Sequence, residues 1–200
     1  MEILLSIAIG IGLSAACGFR IFVPPLVMSL AAHAGYLHIS PDFQWMGTNH
    51  ALEAFAVATF VEMFAYYIPW VDNLLDTVST PTAFAVGTYI TAALFPDTDP
   101  LLKWAVAAMA GGGSAGIIQA LTAMVRLSST ALTVGMGNPI VATIEAGSAI
   151  VLSFLAIGVP VLAFGLVAGC LILIFRRGYL TKLVKKLLPQ ARETATPTVD

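Results

Sequence analysis

Four charged residues, Arg20, Glu62, Arg126 and Glu145, stand inside stretches that are otherwise apolar enough for a lipid bilayer. A charge at the centre of a membrane helix costs about 2.5–3.5 kcal/mol on insertion scales, so such groups face a bundle interior or a wet cavity. Two chemistries suit them. Carboxylates in a polar path bind protons or cations, and guanidiniums serve as counter-charges or anion-binding groups. The alternative is a structural ion pair that fastens helices together.

The residues around these charges extend the pattern. At 100° per residue, Tyr66, Pro69, Asn73 and Asp76 fall within about 40° of Glu62, one stripe about 21 Å long if a single helix continues that far. Asp72 lies about 80° from that stripe. Pro69 is expected to bend the helix and to free the carbonyl of Ala65. Arg126 follows Gln119 and Thr122 and precedes Ser128-Ser129-Thr130, a polar segment for a span. Asn138-Pro139 reads as a helix start, with Asn138 as the cap and Glu145 two turns inside.

Other chemistries find little support. Gly111-Gly112-Gly113 has no Walker lysine, and close helix packing through small residues explains it better than a phosphate loop. His38, Asp42, His50 and Glu53 match no metal-ligand spacing, and no cofactor or catalytic residue is expected. GxSxG, HExxH and CxxC motifs are absent, which leaves a membrane enzyme as a third choice. Cys17 and Cys170 read as small buried hydrophobes. The basic residues of the body are too few for nucleic acid.

The elements that must position these groups follow from composition. Of 200 residues, 58% are hydrophobic and 10% charged, with a mean hydropathy of +0.92. Soluble domains carry about 25% charged residues, so an integral membrane protein is expected. Met1-Glu2 followed by Ile3-Leu4-Leu5 lacks the positive start of a cleaved signal, which favours a retained first helix. Residues 1–175 hold three basic and nine acidic side chains, and residues 176–200 hold six basic and two acidic. A basic end directly after an apolar helix is expected in the cytoplasm. Leucines at helical spacing among Lys182, Lys185 and Lys186 suggest an interfacial helix, or else an extension of the last span ended by Pro189.

Breaks divide the chain into about eight apolar segments. The first stretch, Ile3 to Leu37, would extend about 52 Å as one helix, beyond a hydrocarbon core of about 30 Å. It must break around Gly18-Phe19-Arg20 and Pro24-Pro25. Further segments run from Ala51 to Trp70, with a polar extension to Ser79, and from Pro81 to Phe95. Pro96-Asp97-Thr98-Asp99-Pro100 separates a first half, 1–95, from a second, 101–175. Val57-Ala58-Thr59 before Glu62 and Val141-Ala142-Thr143 before Glu145 suggest an internal repeat, though a chain rich in Ala and Val produces such matches by chance. The expected fold is an all-α polytopic membrane bundle of six to eight hydrophobic segments with a broken first stretch.

At these residues the chain resembles a bacterial integral membrane family known as domain of unknown function 4126. The resemblance covers nearly all of residues 3–175. It rests on Gly18-Phe19-Arg20-Ile21-Phe22-Val23-Pro24-Pro25-Leu26-Val27, and on Glu62 through Ile68-Pro69-Trp70-Val71-Asp72 to Asp76. In the second half Arg126, Asn138-Pro139 and Glu145 carry it. One departure is Tyr66-Tyr67, where relatives typically have an Asp-Lys pair, so a role needing that carboxylate or amine does not carry over. The resemblance implies the architecture and a bacterial inner-membrane location, without an activity.

Two functions are therefore expected to compete. One is a small transporter or permease-like protein whose Glu62, Asp72, Asp76 and Glu145 bind a cation or protons beside Arg20 and Arg126. Tyr66, Asn73 and Asn138 complete that candidate site. The other is a non-transporting, structural or partner-binding membrane protein whose charges lock its helices. The bilayer is the expected partner in either case, with a small ion or solute in the first and a second copy of the chain plausible in both.

Overall fold

The computed structural model describes residues 2–95 and 99–176, apart from the side chains of Glu2, Ile3, Pro69, Trp70, Asn73 and Phe175. The basic tail and its expected interfacial helix lie outside the described residues. Among the described residues there are eight α helices: α1 (Glu2–Cys17), α2 (Val23–His33), α3 (Asn49–Ala65), α4 (Pro69–Leu94), α5 (Pro100–Val106), α6 (Gly113–Thr133), α7 (Asn138–Gly158) and α8 (Pro160–Arg176). A 3₁₀ segment, Pro41–Gly47, precedes α3, and there is no strand among the described residues.

The broken first stretch is present, with α1 ending at Cys17 and α2 starting at Val23. Pro24 and Pro25 occupy the first turn of α2, where their missing N–H groups would have no intrahelical partner anyway. Two other breaks differ from expectation. The helix carrying Glu62 stops at Ala65, and Pro69 opens a new helix instead of bending an old one. Proline disfavours helical geometry at the residue before it, and Ile68 is accordingly extended, at φ −100° and ψ 111°. The Ala65 carbonyl is not freed, since it accepts the Ile68 N–H at 3.1 Å. The expected polar extension and short span from Pro81 are instead one helix, α4, with Pro81 inside it.

Gly111-Gly112-Gly113 likewise does not interrupt its helix. Residues Ala107–Gly112 form a π-helical stretch that joins α5 to α6, so Pro100–Thr133 is continuous over 34 residues. That stretch packs tightly on α4. A Cβ added to Gly87 of α4 would lie 2.7 Å from the Ala115 Cβ, and one on Gly111 would lie 2.7 Å from the Gly87 carbonyl oxygen. Only glycine allows so close an approach of backbones.

Pro100–Thr133 and Asn138–Gly158 are long and apolar enough to cross a membrane, whereas Val23–His33 is apolar but short. Eleven residues reach about 16 Å, half of a hydrocarbon core. The eight apolar segments thus correspond to eight α helices among the described residues, and two continuous helical stretches, α5 through α6 and α7, have spanning length and composition.

Residues 1–164 form one compact unit, in which helices of both halves interpack. Its centre is α1, which contacts α4, α6 and α7. Leu13, Ser14, Ala15, Ala16 and Cys17 are fully buried there. Ser14 donates to the Gly87 carbonyl at 2.6 Å and meets the Thr91 hydroxyl at 2.9 Å, so the polar atoms of this interface are satisfied across it. On the outside of α3, Val57, Phe60, Val61 and Phe64 are exposed at helical spacing. From Gly165 the last helix belongs to a second unit, with Leu166, Ile172 and Leu173 exposed.

Candidate functional site

Three helices, α4, α6 and α7, meet at Arg126. The guanidinium, on α6 and 1% exposed, donates from Nε to Glu145 Oε1 at 3.0 Å and from Nη2 to Oε2 at 2.7 Å. This forked, two-bond pairing matches the planar shapes of both groups. Nη1 reaches Asp72 Oδ1 at 3.2 Å and also bonds Asp76 Oδ1. Asp72 and Asp76 are one turn apart on α4 and so share a face. The second Asp72 oxygen accepts the Asn138 side-chain N–H at 2.7 Å, and the same nitrogen contacts the Thr130 hydroxyl at 3.0 Å. Asn138 is thus a bridge from α7 to α4. It is the first helical residue and makes no cap hydrogen bond, which corrects its expected role; Gly137 holds the cap position.

Arg20 sits in the link between α1 and α2 and is equally buried. Its Nη2 donates to the Ala142 carbonyl at 2.8 Å and lies 3.6 Å from Glu145 Oε2. Among the described residues, its Nε and Nη1 find no hydrogen-bond partner. Tyr66 ties the two arginines together, with the Arg20 and Arg126 guanidinium carbons 3.9 and 4.2 Å from its ring centroid. The electron-rich face of a phenol attracts such cations. The Tyr66 hydroxyl is held by Ser79 at 2.9 Å.

Glu62 does something different. Its two oxygens accept the backbone N–H groups of Ile21 at 2.7 Å and Phe22 at 3.0 Å. Because Pro24 and Pro25 have no N–H, the carboxylate from α3 takes the donors just ahead of them, at the positive end of α2. It lies within electrostatic reach of Arg20 and Arg126 without bonding either.

The nine expected site residues therefore divide. Arg126, Glu145, Asp72, Asp76 and Asn138 form one bonded network, with Arg20 and Tyr66 against it. Glu62 is a neighbour held by backbone, and it shares no helix with Asp72 and Asp76, contrary to the single stripe. The Asn73 side chain lies outside those described. Ser79 and the Ala142 carbonyl were not expected. Ser79 was open to recognition, because Asp72, Asp76 and Ser79 recur at i, i+4 and i+7 on one helix face. The similar motifs before Glu62 and Glu145 lead to unlike partners, backbone N–H groups for one and guanidiniums for the other.

The cluster gathers four carboxyls, Glu62, Asp72, Asp76 and Glu145, around two guanidiniums. Asp76 is its most accessible member, with a side chain 18% exposed. A groove of about 830 Å³ runs between α3 and α4 and reaches Glu62, Tyr66 and Ser79, without Asp76 in its lining. Among the described residues, no group of three or more His, Cys, Asp or Glu is arranged to hold a metal ion. Asp42 pairs with Lys103 at 3.3 Å, and His50 and Glu53 line the groove instead.

A family model described as Domain of unknown function (DUF4126) matches residues 7–178. The chain belongs to this family. The match takes in every residue of the network and nearly the whole eight-helix fold. No curated protein matches the chain. No solved structure matches it either. Within this DUF4126 chain, Tyr66 lies against both arginines, whereas the exposed Tyr67 meets the Thr143 hydroxyl at 2.9 Å.

Proposed function

We propose that this DUF4126 protein is a membrane-embedded, permease-like transporter that binds a proton or small cation at the Arg126 network. The observation that carries the proposal is the imbalance of four carboxyls to two guanidiniums in a buried cluster. Two uncompensated negative charges in a low-dielectric interior are costly, and a proton or a bound cation relieves the cost. Asp76, being partly exposed, is the group that exchanges it with solvent. The exposed apolar stripe of α3 and the two long apolar helices support lipid as the surroundings. In this setting the basic tail faces the cytoplasm.

A structural lock is the second reading, favoured by the forked Arg126–Glu145 pairing and by the capping role of Glu62. Reconstitution into liposomes separates the two. Transport predicts that Asp76→Asn and Glu62→Gln abolish proton-coupled or cation flux, with Asp76→Asn keeping near wild-type thermal stability in detergent. Unchanged flux in both variants, together with lost stability, sinks the transporter.

A further inference from the structure

The groove between α3 and α4 has a chemistry of its own. Its walls are apolar, built from side chains such as Val57, Val61, Leu75 and Val78, and no Lys or Arg among the described residues lines it. Among the described residues, its ionisable lining side chains besides Tyr66 are Glu53 and His50, one turn apart on α3, and Glu62 near the network. Its volume, about 830 Å³, lies in the range of sites that enclose drug-sized molecules. Behind Glu62 stands the cluster with surplus negative charge, so the field along the groove favours a positive occupant.

We infer that this groove binds an organic monocation with a hydrocarbon body, such as a lipophilic amine or a quaternary ammonium or phosphonium ion. The inference rests on the proposed transporter and names the substrate class for the same site. The hydrocarbon body leaves water for the apolar walls, and the charge settles toward the Glu53 and Glu62 carboxylates. A neutral acyl chain would gain the first contribution and not the second. A lipophilic anion would meet two carboxylates and be rejected.

The test compares tetraphenylphosphonium with tetraphenylborate, ions of nearly the same size and opposite charge. Binding to the full chain in nanodiscs is measured by equilibrium dialysis, with empty nanodiscs subtracted. Saturable tetraphenylphosphonium binding is expected, at least tenfold tighter than tetraphenylborate. Glu62→Gln is expected to weaken it tenfold or more. Ala54→Trp, which fills an exposed part of the groove and leaves both carboxylates in place, is expected to do the same. Equal binding of the two ions marks an acyl-chain groove and overturns the inference, as does undiminished binding in both variants. Saturable binding with no flux in liposomes contradicts transport while leaving the groove site standing. Small-cation flux without tetraphenylphosphonium binding does the opposite.

Discussion

Arg126 and Arg20 are equally buried, lie over the same tyrosine ring, and share Glu145, yet their surroundings differ. All three nitrogens of Arg126 are bonded, to carboxylates from two helices. Arg20 has one nitrogen on a backbone carbonyl and two with no partner among the described residues. A buried ion pair with every bond made holds helices in register, and removing one partner leaves charges that nothing else satisfies. The two arginines thus differ in how fully they are bonded, though Glu145 and Tyr66 join them.

The contrast is tested first at Arg126. Arg126→Leu strands Asp72, Asp76 and Glu145 together, and a loss of about 3–5 kcal/mol is expected, enough to prevent stable purification. Thermal unfolding in detergent measures it. Arg126→Lys restores charge but cannot fork onto Glu145, so rescue should be partial. Arg20→Gln gives up one hydrogen bond to a carbonyl, the longer pairing with Glu145 and the contact with the Tyr66 ring, but also removes two unpaired donors, so a smaller loss of about 1–3 kcal/mol is expected. If Arg20 is the mobile member, flux falls far more than stability. Equal destabilisation by the two arginine substitutions would erase the distinction.

The smallest effect lies away from the network. Val134 ends α6 in the left-handed conformation, at φ 55°, which a β-branched residue adopts only under strain. Val134→Gly relieves that strain against a more flexible unfolded chain, so a gain of about 0.5–1 kcal/mol is expected from the same melts. Flux should not change.

Much of this architecture is legible in the residue order, and the illegible parts have physical causes. Apolar runs and prolines mark eight segments, and the Gly18–Arg20 break falls between α1 and α2. Local rules mislead where two signals compete. A 3.6-residue period carried the Glu62 stripe through Tyr66-Tyr67-Ile68, but the constraint that Pro69 places on Ile68 ends the helix there. Three glycines suggested a break, yet close packing on Gly87 keeps a π-helical connection. Periodicity places Asp72 and Asp76 on one face, but it cannot say which arginine meets them. Arg126 and Glu145 are 19 residues apart on different helices, and only the packing of α6 on α7 pairs them. The capping role of Glu62 is likewise invisible in sequence, because its donors lie 40 residues away on a separate helix start.

The charge imbalance of the network is most directly tested by infrared difference spectroscopy of the purified protein in lipid. The band of a protonated carboxyl is followed near neutral pH as a transported cation is added. A band that is present without cation, diminishes as cation binds, and is missing in Asp76→Asn is the expected result. Four carboxyls that stay ionised with no cation bound would contradict the proposal that the surplus charge is held for exchange.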